Sequence, residues 1–384
     1  EVLEGEIAAS CVAFTSDEAC VADAEFIVVT VPTPVSEDHK PDLSLLESAS
    51  SAIGVQLRGR AAGLGAPIIV FESTTYPGCT EGFCGPIIER ESGLKSGEGF
   101  FLGYSPERTN FGDQEHTLET VIKVVSGQTP EVTAIVAGVY GRIAKAGIHL
   151  AADIKTAEAS KLVENVQRDL NIALFNELAM IFDRMDIRST DAFDAAATKW
   201  NFHRYQPGLV GGHCIPVDPY YLTYAASELG FDARVLLAGR EVNESVAEFT
   251  AGKISSLIEE ADGVPAEASV LMLGITFKPN VSDIRNSKAM LLADLLVQRH
   301  SSVDVYEPVG VVPQEAGTGY NVVDDPFVTE KTYDVVVLAV PHDTVVAQKA
   351  HIGDLVKSGG LVVDLGSALD RADIESTSRT YWSL

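Results

Sequence analysis

Apolar residues fall along this chain in two rhythms. Runs of five or six mostly apolar, often β-branched residues, FIVVTV at 26–31, PIIVF at 67–71, FFLGY at 100–104 and VIKVV at 121–125, show no regular polar face. Strands buried on both faces of a parallel sheet read this way. A shorter run at 12–14 predicts one more strand, and 42–60 predicts a helix between two of them. Strands alternating with helices give a parallel sheet covered on both sides. From 155 to about 185 the rhythm changes: Leu162, Val163, Val166, Leu170, Leu174, Leu178 and Ile181 recur at helical spacing. A helix of that length is about 45 Å long at 1.5 Å per residue, more than one small domain spans. It is expected to bridge two domains and to build a dimer interface.

A further helix is predicted over 240–260, then a break at 262–265, then strands at 269–277, 302–306, 333–340 and 360–365 with helices between. The expected fold is therefore α/β: two doubly wound, Rossmann-like domains joined by a long central helix within a helical middle domain. The boundaries fall at 1–152, 153–262 and 263–384. A first domain of this kind opens on a strand, a Gly-rich turn and a helix. No G-x-G-x-x-G occurs in the chain, so the N-terminal βαβ unit of the first domain is expected to be missing from it. On that expectation the chain as it stands binds a dinucleotide poorly and leaves a sheet edge unpaired.

Composition narrows the classes. With 384 residues, 46% apolar and 22% charged, the chain has material for two or three ordinary domains. No apolar run is long enough for a spanning helix, and residues 1–9 lack the apolar core of a signal peptide, which points to the cytoplasm and to no membrane. A net charge of −27 repels nucleic acid, so any phosphate site must be built from a few placed cations. The five cysteines are odd in number and scattered, against a disulfide framework, and none has zinc-ligand spacing, so no metal is expected.

Four stretches carry candidate chemistry. In GLVGGHCIPVDPYYL, 208–222, glycines surround one thiol, Cys214, with a carboxylate at Asp218. Glycines let a ligand approach the backbone, and a thiol there can attack a carbonyl; the plainer reading is an inert cysteine beside a structural turn. In EASKLVENVQRDLN, 158–171, Lys161, Asn165 and Arg168 share a helix face. The first two can donate to an oxyanion and the third can bind phosphate or sugar oxygens, or all three form a solvated polar face. In SPER, 105–108, Glu107 and Arg108 stand at the end of a predicted strand, where open α/β sheets gather ligands; a salt-bridged turn is the alternative. In GITFKPNVSDIR, 274–285, Lys278 is placed for a nucleotide phosphate near a helix start, though alone a Lys and an Arg so spaced mean little.

Taken in order, VPTP (31–34), ESTTYPG (72–78), SPER, SKLVEN (160–165), GGHCIPVDPYY (211–221) and GITFKPNVSDIRNS (274–287) resemble the UDP-glucose/GDP-mannose dehydrogenase family over essentially the whole chain. SPER in place of NPEFL, with HCIPVDPYYL after it, resembles the branch acting on UDP-N-acetylhexosamines, with UDP-N-acetylglucosamine or UDP-N-acetylgalactosamine as substrate. The resemblance implies NAD as cofactor and four-electron oxidation of the sugar C6 to a carboxylate, for surface polysaccharide synthesis. It implies Cys214 as nucleophile, Lys161 and Asn165 as oxyanion donors, and Asp218 and Glu107 as groups that handle protons or place water. Arg108, Arg168, Gly211, Phe277 and Lys278 would hold the UDP-sugar, Thr33, Thr74 and Arg285 would contact NAD, and the central helix would form a homodimer. The alternatives are the same chemistry on UDP-glucose or GDP-mannose, or a chain that binds nucleotide sugar without turning it over. NFHRY at 201–205 does not align clearly with the basic residues that reach substrate across the dimer in this family.

Overall fold

The computed structural model describes residues 10–36, 38–61, 63–109, 112–113, 115–312 and 319–384. It comprises two compact units, Glu1–Lys161 and Leu162–Leu384.

In the first unit β1 (Phe26–Val29), α1 (Ser44–Leu57) and β2 (Ile68–Phe71) lead to a π-helical turn, Thr80–Cys84, that runs into α2 (Gly85–Ser92). β3 (Phe101–Tyr104), β4 (Lys123–Gly127), α3 (Pro130–Tyr140), β5 (Ile148–Leu150) and the start of α4 (Ile154–Asp183) follow. The sheet order is β1-β2-β3-β4-β5. Alternate strand residues bury on opposite faces, as the unbroken apolar runs require. Ile69, Phe71, Leu102 and Tyr104 pack with Leu46 and Leu57 of α1 and Ile88 of α2. Ile68, Val70 and Val125 pack with Val132, Val136 and Tyr140 of α3.

Two expectations are corrected here. Residues 12–14 form no strand; Val12 and Phe14 are 64% and 77% exposed, since three apolar residues without a ladder partner have no burial to gain. And β3 and β4 pair antiparallel, Gly103 with Gly127 and Tyr104 with Ser126, whereas β1–β2, β2–β3 and β4–β5 are parallel. A parallel return needs a crossover, usually helical, and among the described residues of 105–122 there is no helix. The reversal brings Lys123, at the start of β4, back to the carboxyl end of β3.

The second unit contains the remainder of α4, then α5 (Ser189–Ala197), α6 (Asp218–Glu228) and α7 (Arg234–Glu260). It continues through β6 (Ser269–Leu273), α8 (Lys288–Val297), β7 (Ser302–Tyr306), β8 (Asn321–Val322), β9 (Tyr333–Leu338), α9 (Asp343–Val346), α10 (Lys349–Ile352), β10 (Val356–Asp364), α11 (Arg371–Glu375) and β11 (Thr380–Ser383). The sheet runs β11-β10-β9-β6-β7-β8, parallel throughout. In order of appearance that is third, second, first, fourth, fifth, sixth from one edge, the strand order of dinucleotide-binding folds, with its switch point between β6 and β9. β6 stops at Leu273, short of the predicted 277, because Gly274 turns with φ +81° and its Cα faces the Val340 carbonyl so closely that a Cβ would lie 2.5 Å from it.

The apolar residues expected to line one face of α4 divide. Leu162 and Val166 are buried, whereas Val163, Leu174 and Ile181, at helical spacing on the other side, are 59%, 51% and 44% exposed. The side that carries Glu158, Lys161, Asn165, Asp169 and Asn176 is buried although polar.

Among the described residues, Arg240 on α7 is the largest fully buried side chain. Its guanidinium donates to Asp169 at 2.5 Å and to Glu244, whose other oxygen pairs with Lys288. Removing one partner of a buried ion pair leaves a charge without compensation. Arg240→Ala is therefore expected to cost about 3–5 kcal/mol, read as a lowered denaturation midpoint; a loss under about 1 kcal/mol, the surface-pair range, would refute a supporting role for this network.

Candidate active site

In the first unit, β1, β2 and β3 end at the same edge, since Val29 is level with Phe71 and Phe71 with Tyr104. Three loops leave that edge. Ser73 Oγ donates to the Val31 carbonyl at 2.6 Å and Tyr104 OH to the Ser73 carbonyl at 3.1 Å, so the loops bearing Thr33 and Thr74 are tied side by side. The next residues are held by α4. Glu158, fully buried, accepts from Thr75 Oγ1 at 3.0 Å and from the amides of Gly78 and Thr80. Burial pushes its carboxyl up despite these bonds.

The third loop is Ser105–Arg108. Ser105 Oγ donates to the Val124 carbonyl at 2.8 Å. Lys161 Nζ, 8% exposed, donates to the Glu107 carbonyl at 2.8 Å, and Arg108 Nη1 to the Ile122 carbonyl at 2.7 Å. The Glu107 carboxylate accepts from the Thr109 amide. Partial burial drives the Glu107 carboxyl up, but the Thr109 bonds and the charge of Lys123 outweigh it and leave it below the usual glutamate range.

In the second unit the thiol-bearing loop is clamped from both sides. Asn176, fully buried on α4, accepts from the Gly208 amide at 2.7 Å and donates to the Gly208 carbonyl at 3.1 Å. Asn243 braces Asn176 at 2.8 Å and is itself bonded to Asp169. Gly211 and Gly212 then press against Phe277: a Cβ on Gly212, at φ +93°, would come within 2.8 Å of the ring. Asn286 bonds both the amide and the carbonyl of Gly212. Cys214 is exposed, and its carbonyl accepts from the amides of Val217 and Asp218 at 3.1 and 2.9 Å, which starts α6. Asp218 is 1% exposed and accepts from Asn165 Nδ2. Gly211, Ile215, Phe277 and Lys278 line a hollow of about 250 Å³.

At the switch point of the second sheet lies a cavity of about 150 Å³, lined among others by Gly211, Phe277, Lys288 and Val340. The first βα turn, whose amides bind pyrophosphate in a dinucleotide site, is otherwise engaged. Glu307, following β7, accepts from the amides of Ile275 and Thr276 at 2.8 and 3.2 Å and from those of Val309 and Gly310. His342 accepts the Asn280 amide on Nδ1, which places its proton on Nε2, 3.1 Å from Glu307. Burial raises the Glu307 carboxyl, but His342 and the amides prevail and hold it down at about 2.

Three family models match the chain: the NAD binding domain of the UDP-glucose/GDP-mannose dehydrogenase family over residues 1–144, its central domain over 155–245 and its UDP binding domain over 271–371. Protein CapL of Staphylococcus aureus is 43% identical over 100% of this chain and 89% of its own length. A UDP-N-acetyl-D-glucosamine 6-dehydrogenase of Pseudomonas aeruginosa is 42% identical over 94% of this chain and 84% of its own. The chain belongs to the UDP-glucose/GDP-mannose dehydrogenase family. Among solved structures, a UDP-D-ManNAc dehydrogenase from Pyrococcus horikoshii superposes with a TM-score of 0.82 at 27% identity, covering 96% of this chain and 83% of that one.

The family's NAD binding domain falls on the first unit, and the residues at its carboxyl edge suit a contact with that cofactor: Thr33 and Thr74 are half-buried on adjacent, mutually bonded loops. Of the other residues singled out in the sequence of this family member, Glu107, Arg108 and Lys161 share that edge in the first unit. Asn165, Asp218, the Cys214 turn, Gly211, Phe277 and Lys278 meet in the second. Arg168 is exposed at the margin of the buried polar face of α4, whose line passes instead through Asp169. Arg285 is exposed and paired with Asp283 at 2.7 Å, where His213 also bonds. Sequence reasoning passed over Glu158, Asn176 and Asp169, although each lies at helical spacing from Lys161 or Asn165. Lys123, Asn243, Glu307 and His342 gave no local signal. Among the described residues no group of three or more His, Cys, Asp or Glu could hold a metal ion, and no helix is long and apolar enough to cross a membrane.

Because the Glu307 carboxyl sits near 2 when folded and at its ordinary 4.5 when unfolded, its contribution is present above pH 4.5 and is lost as pH falls toward 2. Linkage sets it on the order of 3 kcal/mol. Glu307→Gln is expected to flatten the fall in stability across that interval in pH-dependent denaturation; an unchanged acid limb would disprove the assignment.

Proposed function

We propose that this dehydrogenase oxidises C6 of a UDP-N-acetylhexosamine to the carboxylate through a covalent intermediate on Cys214. The chemistry rests on one observation: an exposed thiol on a turn held by Asn176, Phe277 and Asn286, beside the buried Asn165–Asp218 pair. The substrate class rests on the name of the Pseudomonas aeruginosa relative and on the SPER and HCIPVDPYYL motifs. UDP-glucose and GDP-mannose are the competing substrates.

NAD, when bound, takes up the two hydride equivalents, one for each oxidation step. The sugar C6 first gives up a hydride and its hydroxyl a proton, which leaves the aldehyde. Cys214 as thiolate adds to that carbonyl, forming the C–S bond of a thiohemiacetal, and the new alkoxide takes hydrogen bonds from Lys161 and Asn165. Loss of the second hydride leaves a thioester. Water, placed by Glu107 or Asp218, adds to the acyl carbon, and the C–S bond breaks to release carboxylate and thiol. Covalent capture keeps the aldehyde from escaping. Arg108, Arg168, Gly211, Phe277 and Lys278 hold the nucleotide sugar in this reading, and Arg285 joins Thr33 and Thr74 at the cofactor.

The reading extends to organisation. It assigns residues 1–152 to the cofactor, 153–262 to a central helical domain and 263–384 to UDP-sugar, in a cytoplasmic homodimer. The exposed apolar stripe of Val163, Leu174 and Ile181 along α4 supports a partner copy on that helix.

Cys214→Ser is expected to abolish uronate formation, because a hydroxyl is a far weaker nucleophile near neutral pH. The measurement is NADH released per sugar consumed, across UDP-N-acetylglucosamine, UDP-N-acetylgalactosamine, UDP-glucose and GDP-mannose. Two NADH per sugar from the variant at near the parent rate would exclude a thiol nucleophile. Arg108→Ala is expected to weaken substrate binding by roughly 2–5 kcal/mol, the cost of losing one partner of a buried charge contact; an unchanged KM would exclude Arg108 from the substrate site.

A further inference from the structure

Behind the Ser105–Arg108 loop, within the first unit, lies a second buried cation that the proposed chemistry leaves unused. Lys123 is 2% exposed. Its Nζ donates to the Pro106 carbonyl at 3.1 Å, lies 3.6 Å from the Glu72 carboxylate and stands 5.2 Å from the centre of the Tyr140 ring. Tyr140 OH in turn donates to the other Glu72 oxygen. Taking an ammonium out of water is costly unless it is paired and fully bonded, and a residue that served only to fill the core would be apolar. The peptide carbonyl it grips belongs to the residue preceding Glu107, and Lys161 grips the carbonyl of Glu107 itself. Two amines thus fix two successive peptides of the loop that carries the carboxylate.

We infer that Lys123 is a positioning residue for Glu107: its ammonium anchors the Pro106 carbonyl and so fixes the loop whose carboxylate receives a proton from water. This rests on the reading of Glu107 as the group that places and activates water at the thioester. Among the described residues, the charged and titratable groups around the Glu107 loop are Lys123 from β4, Lys161 from α4 at the Glu107 carbonyl, Arg108 from the loop itself, and Glu72 and Tyr140 behind Lys123. Burial and the Glu72 carboxylate both push the Tyr140 hydroxyl far up, so it stays a neutral donor. Glu72 therefore offsets part of the Lys123 charge, and the remainder reaches Glu107, where it acts with the Thr109 bonds to hold the carboxyl down.

The sign follows. Removing the charge raises the carboxyl, so the carboxylate is lost at a higher pH and hydrolysis fails first on the acid side. In the enzyme, Lys123→Met and Lys123→Gln should move the acid limb of the kcat profile to higher pH, since removing a nearby positive charge disfavours the carboxylate. Below neutral pH the sugar thioester should then accumulate on Cys214, visible by mass spectrometry of the Cys214 peptide after acid quench. Lys123→Arg should restore the parent limb. The glutamine variant keeps a donor for Pro106 and so answers the question even where the methionine variant fails to fold. An acid limb in Lys123→Gln that matches the parent, with no adduct, overturns the inference, as does a Lys123→Arg variant displaced as far as the glutamine one. Glu107→Gln separates the two levels: parent kcat and no adduct in that variant overturn the role of Glu107 itself. Its loss of activity alongside an unmoved Lys123→Gln limb overturns only the role of Lys123.

Discussion

One face of α4 must bury polar side chains, and within each unit the partners those side chains find are loops and neighbouring helices of that unit. Glu158 takes the amides of Gly78 and Thr80, Lys161 the carbonyl of Glu107, Asn165 the carboxylate of Asp218, Asp169 the guanidinium of Arg240, and Asn176 both backbone groups of Gly208. A buried group with no partner costs more than a made bond returns. Loops that would otherwise sample many conformations are therefore held at fixed points along the helix. The helix runs thirty residues without a proline or glycine, and its opposite stripe of Val163, Leu174 and Ile181 is apolar and exposed.

The two sheets use their carboxyl edges differently. In the first unit the edge is open, with threonine, serine and glutamate loops standing on it. In the second the amides that a pyrophosphate would occupy are held by the chain's own Glu307, so the strand order of a dinucleotide-binding fold is kept while its phosphate cradle is filled. That leaves the neighbouring cavity around Gly211, Phe277 and Lys288 as the accessible space at the switch point. A shared strand order does not by itself fix what binds at its end.

Charge placement is uneven in a chain of net charge −27. Three cations are withdrawn from the acidic exterior: Lys123, Lys161 and Arg240 are at most 8% exposed, each against named acceptors. In that setting their fields act at short range with little screening by water or salt, so the diffuse repulsion of the surface and the local attraction of the loops coexist.

The sequence by itself marked the central strands of both sheets and the long helices at 155–185 and 240–260, because β-branched runs and helical spacing act over a few residues. It also marked Cys214, Asp218, Asn165, Lys161 and Glu107, because glycines around a thiol and polar residues at four-residue spacing are local signals. It missed the edge strands β5, β8 and β11, which are short and in part polar, and it misread 12–14, where an apolar triplet met no partner. Only the tertiary structure decided the reversal of β4, because strand direction depends on what the connecting loop can cross and not on the strand's own residues. With that reversal came the approach of Lys123 to the Glu107 loop. The grip of Asn176 on Gly208 and the capture of the Ile275 and Thr276 amides by Glu307 join residues about thirty apart in sequence. Contacts at that separation have no periodicity to betray them; they exist because buried polar groups accept whichever partner the packed chain brings within reach.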